Sequence, residues 1–338
     1  MKAAVLHELK KPMVVEEVAR PVPGEGEVLI KVEASGVCHS DLHVAEGDWK
    51  QFAGITKLPL IVGHEVAGKV VELGPGVREL KPGDRVGVPW IYWTCGECEF
   101  CREGNENLCV KQKITGVTVN GGYAEFIKAP ASHATRIPDA VSSVQAAPLF
   151  CAGVTVYRAI MQAKPQRGQR LAIFGVGGLG HLAVQVAVHL GLEVSAVDVA
   201  DDKLALAKSL GATNTFNAAA SNVVKEIRRL GGAHIVLVTS GSKAAYDTAF
   251  YCLRPTGTLL AVGLPANEIS FPAIMMAAGE VNIKASAVGT REDLKQVLAL
   301  AAAGKLHCQV AARPLADVNA VFEDMRAGII AGRVVLTM

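Results

Sequence analysis

Up to about residue 150 the chain alternates short apolar runs with Pro/Gly turns. The runs VLIKVEASGV (28–37), AGKVVELG (67–74) and DRVGVPW (84–90) are strand-like, and the turns PVPGEGE and KPGD separate them. Runs of this length, bounded by turn residues, predict an all-β, barrel-like domain. From about Val154 the rhythm changes. RLAIF (170–174) predicts a strand and leads into a helical stretch ending near Leu190. EVSAVD (193–198) predicts a second strand, and DDKLALAKSL (201–210) a second helix. HIVLVTS (234–240), a helix from about Lys243 to Leu253, and GTLLAVG (257–263) continue the series. Strands alternating with helices predict a parallel, doubly wound sheet. Past Thr290 the pattern gives one helix, about Glu292 to Ala303, and a closing strand in GRVVLTM that is free to rejoin the first domain. The expected division is therefore 1–152 with 291–338 as one domain and 153–290 as the other.

Composition narrows the class of protein. The 338 residues are 50% hydrophobic, which argues against disorder. Lys and Arg number 34 against 32 Asp and Glu, a formal charge of +2 that offers no electrostatic footprint for nucleic acid or an anionic membrane. The mean hydropathy of +0.30 raises the question of a membrane span. The most apolar stretch, Leu171 to Val199, is interrupted by His181, Gln185, His189 and Glu193, so it reads as a buried strand, turn and helix. The start, MKAAVLHELKK, carries no apolar signal core. A soluble, cytoplasmic protein is expected.

Three constellations carry chemistry. Cys95, Cys98, Cys101 and Cys109 stand in the spacing C-x2-C-x2-C-x7-C, inside a lobe spanning about 94–113. Four thiolates leave a metal no open position, so the first reading is structural zinc. A disulfide framework would need an export route. An iron–sulfur cluster also takes four thiolates, though the closest bacterial ferredoxin run ends in x3-C-P. Second, Gly175, Gly177, Gly178, Leu179 and Gly180 form GVGGLG between a strand and a helix, the context in which glycines let a backbone approach a pyrophosphate. Asp198 closes the next strand, placed to accept bonds from ribose hydroxyls and to repel a 2′-phosphate, so NAD is favoured over NADP. Lys203 lies within reach of the same ribose. Third, CHSDLH (38–43) and GHEVAG (63–68) bring cysteine, histidine and carboxylate together, and LFCAGVT adds Cys151. A catalytic zinc takes three protein ligands and one open position, which two thiolates and an imidazole can supply.

On these residues the chain resembles the zinc-dependent medium-chain alcohol dehydrogenases, from its first residues to the terminal GRVVL. The resemblance implies a GroES-like catalytic domain beside a Rossmann domain, NAD, and two zinc ions per subunit. It implies that Cys38, His64 and Cys151 bind the catalytic zinc, with Glu65 behind it and Asp41 orienting His64. It further implies Ser40 as the hydroxyl that meets the substrate oxygen and His43 as the outer end of a proton relay. His39 and Arg333 would face the pyrophosphate, and Thr155, Val262 and Val288 the nicotinamide. Trp49, Trp93 and Leu264 would narrow the pocket. Length and the GDW segment at 47–49 are most similar to the bacterial and yeast ethanol-active branch, commonly tetrameric. Small primary alcohols and their aldehydes are the expected substrates.

The rival readings are weaker. A zinc-ribbon nucleic-acid binder needs a basic face, whereas the cysteine lobe carries Glu97, Glu99, Glu103 and Glu106. Metal-free quinone reductases and crystallin-like relatives lack the ligand set. Cinnamyl-alcohol or polyol dehydrogenases share the fold; the former usually takes NADP, which Asp198 opposes, and the latter usually lacks the full cysteine lobe. Cys252 and Cys308 read as ordinary buried thiols. His7, His133, His181, His189, His234 and His307 receive no role.

Overall fold

The structure, a computed structural model, describes residues 1–49, 54–265 and 267–338. The chain forms two compact units. The first comprises Met1–Cys151, Thr290–Ala303 and Val310–Met338; the second comprises Ala152–Gly289 and Gly304–Gln309. The six residues 304–309, grouped by the sequence with the first unit, belong to the second. The cause is a set of polar ties: the Gln185 side chain bonds both N and O of His307, and the Gln309 N–H donates to His181 Nε2.

The first unit is mainly antiparallel sheet. Its main sheet runs Thr135–Arg136, Arg85–Val88, Glu65–Leu73, Glu27–Val37, Arg333–Thr337, Val310–Pro314, and Phe126–Pro130 also pairs with Glu27–Val37. A three-stranded sheet of Val14–Glu17, Lys2–Leu6 and Leu60–Ile61 accompanies it. The long strand Glu27–Val37 is buried along most of its length because partners line both edges. The terminal strand Arg333–Thr337 pairs antiparallel with residues 34–37, so the end of the chain does rejoin this unit.

Three elements here were not anticipated from the pattern. CHSDLH forms a helix, His39–Glu46, closed by Gly47 in the left-handed region. VAARP forms the edge strand Val310–Pro314, paired in parallel with Arg333–Thr337. VNAVFEDMR forms the helix Val318–Arg326, which buries Val318, Val321, Phe322 and Met325. That last spacing is a plain helical stripe.

The second unit is a six-stranded, all-parallel sheet in the order Asn214–Asn217, Glu193–Asp198, Arg170–Phe174, Ala233–Val238, Leu253–Ala261, Asn282–Ala285. In sequence order this is 3-2-1-4-5-6, the doubly wound arrangement whose ligand crevice opens where the strand order reverses. The reversal falls at Arg170–Phe174, whose carboxyl end feeds the GVGGLG turn. Its central strands Arg170–Phe174 and Ala233–Val238 are buried along nearly all their length, as expected of a doubly wound parallel sheet. Among the described residues, no single helix is long and apolar enough to cross a membrane.

Candidate active site

Cys38 ends the longest strand of the first unit and caps the helix His39–Glu46. Asp41, at the third position of that helix, accepts the Cys38 N–H through Oδ2 at 3.0 Å. A carboxylate in a first turn suits the helix dipole and satisfies a donor that would otherwise be orphaned. His64 follows Gly63, whose φ of 96° is open to glycine, and precedes the strand Glu65–Leu73. Cys151 follows a short turn of 3-10 helix, Ala147–Phe150. One ligand atom each from Cys38, His64, Glu65 and Cys151 lies within 4.8 Å of the others, and all four residues are buried.

The donor set fits a metal ion such as zinc. His64 Nδ1 bonds Asp41 Oδ1 at 2.7 Å, while the buried Nε2 makes no geometrically satisfactory hydrogen bond among the described residues. An imidazole whose far nitrogen is anchored by carboxylate presents its other lone pair for coordination. Burial disfavours a charge on His64, but Asp41 outweighs it and raises the pKa. The Cys151 thiol bonded to Cys38 pulls the Cys38 pKa well down, against burial and with help from His64; Cys151 is pushed up in return. A cation bound by both sulfurs would favour their deprotonated forms. Glu65 is fully buried and bonds Arg333 Nη2 through Oε1. Burial pushes its pKa up to about 7, with Arg333 pulling the other way.

Around this centre the helix sets the remaining candidates one turn apart. Ser40 is half-buried, His39 exposed, and the His39 and His43 rings lie 6.4 Å apart. His43 Nδ1 bonds the Asp48 carboxylate at 2.8 Å, and its ring lies 5.2 Å from that of Trp49. Trp49 in turn sits 6.3 Å from Trp90, and Trp90 meets the His64 ring edge-on at 4.8 Å. This corrects the sequence reading: the tryptophan at the ligand cluster is Trp90, not Trp93. Trp93 packs against the cluster containing Val28, Val66 and Tyr92, and Lys113 lies over its ring at 5.8 Å. In PWIYW spacing alone could not choose between them. Arg333, expected at the pyrophosphate, is buried with its guanidinium turned to Glu65.

The second cysteine cluster is equally compact, its four sulfurs within 4.8 Å. None of the four is paired in a disulfide. Backbone N–H groups of Glu97 and Cys98 lower Cys95 to about 6. The lobe is tied down by Glu106, which takes the Arg291 backbone N–H at 2.8 Å and its guanidinium at 2.5–3.0 Å. Arg291 also donates to Ser132 O, and neighbouring His133 accepts the Thr94 N–H at 3.1 Å. Sequence reasoning missed both Arg291 and His133, because their partners lie far along the chain.

In the second unit, Gly175 leaves its strand with φ 95°, and a Cβ on Gly180 would collide with the Gly175 carbonyl. Asp198 Oδ2 accepts the Val176 N–H at 2.7 Å, and Oδ1 accepts those of Val199 and Ala200 at 2.8 and 3.1 Å. The carboxylate thus locks the glycine turn and keeps one lone-pair site, on Oδ2, for a further donor. Lys203 is half-buried on the next helix, Asp201–Ser209. Thr155 is buried on the helix Ala152–Gln162, Val262 is buried after its strand, Val288 adopts φ 41°, and Leu264 is 60% exposed. His181, given no role by the sequence, is fully buried and bonds Gly177 O through Nδ1 at 2.9 Å. Cys252 and Cys308 are buried thiols, as expected.

The alcohol dehydrogenase GroES-like domain family matches residues 24–139, and the zinc-binding dehydrogenase family matches residues 178–303. An alcohol dehydrogenase of Geobacillus stearothermophilus is 48% identical over 99% of both chains. The alcohol dehydrogenase of the archaeon Aeropyrum pernix superposes with a TM-score of 0.93 at 36% identity, covering 100% of each chain. Acetophenone reductase of Geotrichum candidum, solved with NAD, gives a TM-score of 0.89 at 29% identity over 100% of this chain and 97% of that one. With its GroES-like and Rossmann halves and this likeness along its whole length, the chain belongs to the zinc-dependent medium-chain alcohol dehydrogenases, oxidoreductases of alcohols and aldehydes.

Proposed function

We propose that this enzyme interconverts small primary alcohols, ethanol-like in size, and their aldehydes, using NAD and a zinc ion held by Cys38, His64 and Cys151. The observation that carries the proposal is the buried cluster in which a His64 ring nitrogen and the Cys38 and Cys151 sulfurs lie within 4.8 Å of one another. When bound, zinc supplies the Lewis acidity that makes a hydroxyl proton labile near neutral pH, and nicotinamide supplies the hydride acceptor. The chain supplies everything else. Asp41 holds His64 in the tautomer that offers Nε2. Ser40 Oγ accepts the substrate hydroxyl proton while giving up its own, and His43, three residues on along the same helix, is the outer group that releases a proton to solvent. Glu65, restrained by Arg333, stands behind the ligands as a reserve donor. Trp90 and Trp49 form an apolar wall that favours short chains. Gly175 to Gly180, with His39 and Arg333, are assigned to the pyrophosphate, Asp198 and Lys203 to the ribose, and Thr155, Val262 and Val288 to the nicotinamide. Leu264 borders the substrate. Cys95, Cys98, Cys101 and Cys109 hold a second, structural zinc. A homotetramer in the cytoplasm is proposed on likeness to the ethanol-active branch alone; a sedimentation mass of one or two chains would rule the tetramer out.

Metal analysis of the purified enzyme is expected to give two zinc ions per chain. His64→Ala should retain one and lose about a thousandfold or more in kcat/KM; an active variant with its metal content unchanged would end the proposal. Replacing Asp198 by Ser should raise KM for NAD about tenfold, the worth of a lost charge-assisted bond, and narrow the preference over NADP; unchanged steady-state constants for both cofactors would remove Asp198 from the ribose site. Across a series of linear alcohols, Trp90→Ala should raise the hexanol-to-ethanol ratio of kcat/KM about tenfold, and Trp93→Ala should leave it near the wild-type value. The opposite ranking would return Trp93 to the pocket.

A further inference from the structure

Asp41 is 1% exposed, and its two oxygens take three donors. Oδ1 takes His64 Nδ1, Oδ2 takes the Cys38 N–H, and Oδ2 also takes the hydroxyl of Tyr123 at 2.8 Å. Tyr123 is fully buried and is fixed by its own backbone, its N–H donating to Val62 O at 3.0 Å and its carbonyl accepting from Ala4 at 2.8 Å. Its ring lies directly over Gly63, where any Cβ would strike it. The ring thus touches the residue preceding one ligand, while its hydroxyl grips the carboxylate that orients two.

We propose that Tyr123 is a positioning residue for the catalytic metal: its hydroxyl fixes Asp41, and through Asp41 the His64 ring and the Cys38 backbone, so that the ligands are pre-set before the ion binds. The inference rests on the metal site proposed above. Without the hydroxyl, Oδ2 keeps the Cys38 N–H as its donor, so the carboxylate is less restrained about its Cβ–Cγ bond and holds the His64 ring less firmly. Burial and the facing Asp41 carboxylate raise the Tyr123 pKa well above its ordinary value, so the hydroxyl remains a donor. Outer partners of this kind alter metal affinity by about 10–100-fold when removed.

The test uses zinc-loaded holoenzyme and a colorimetric chelator, following release of both ions over time. The phase missing from His64→Ala is assigned to the Cys38, His64 and Cys151 site, and the remaining phase to the four-cysteine lobe. Tyr123→Phe keeps the ring on Gly63 and removes only the hydroxyl. It is expected to speed the first phase about tenfold and to change the lobe's phase less than twofold, so the lobe serves as an internal control for general loosening. An unchanged first phase overturns the proposal, and so does equal acceleration of both phases, which would mean a packing role only. A wild-type enzyme with no His64-dependent zinc would instead refute the metal site itself.

Discussion

The catalytic half of this molecule depends on the buried carboxylate of Asp41. Taking a carboxylate out of water is costly unless every lone pair is met, and here three segments far apart in sequence converge to meet it. They are the entry to the helix His39–Glu46, the Gly63–His64 turn, and the loop that carries Tyr123. Gly63 has positive φ and lies under an aromatic ring, so it supports a histidine only in this company. The placement of two candidate ligands, Cys38 and His64, thus follows from satisfying one acceptor.

Two further buried or half-buried ion pairs do similar work over long sequence separations. Arg333 reaches Glu65 because the terminal strand pairs with residues 34–37 beside the strand that begins at Glu65. Arg291 reaches Glu106 from the start of its helix and anchors the cysteine lobe with several bonds at once. Removing one partner from such a pair strands a charge, which costs more than the pair contributes. Arginine suits both places because its planar fork can serve several acceptors together.

The Rossmann half was the more legible. RLAIF, EVSAVD and HIVLVTS became strands within a residue or two of their expected bounds, and the turn with three spaced glycines sits at the switch point. That success has a physical basis: parallel strands covered on both faces are continuous apolar runs, and helices between them restore the 3.6 period. The other half was less legible. Its short helix at His39–Glu46 buries only Leu42, Val44 and Ala45 beside the polar Asp41, too brief a stripe to mark it, and the strand Val310–Pro314 is an edge that alternation does not mark. Residues 304–309 left the first unit for the second because of two side chains, Gln185 and His181, more than a hundred positions away.

By itself the sequence determined which atoms were available: two thiolates and an imidazole in recognisable company, four clustered cysteines, glycines where a phosphate must come close, and a carboxylate after the second strand. Such features are local, and spacing along a strand or turn fixes geometry over a few residues. The tertiary structure decided which tryptophan faces His64, that Tyr123 completes Asp41, that Arg333 turns to Glu65, and that Arg291 holds the lobe. Those choices follow from strand register and buried charge, and a one-residue change of register reverses which side chain faces the core.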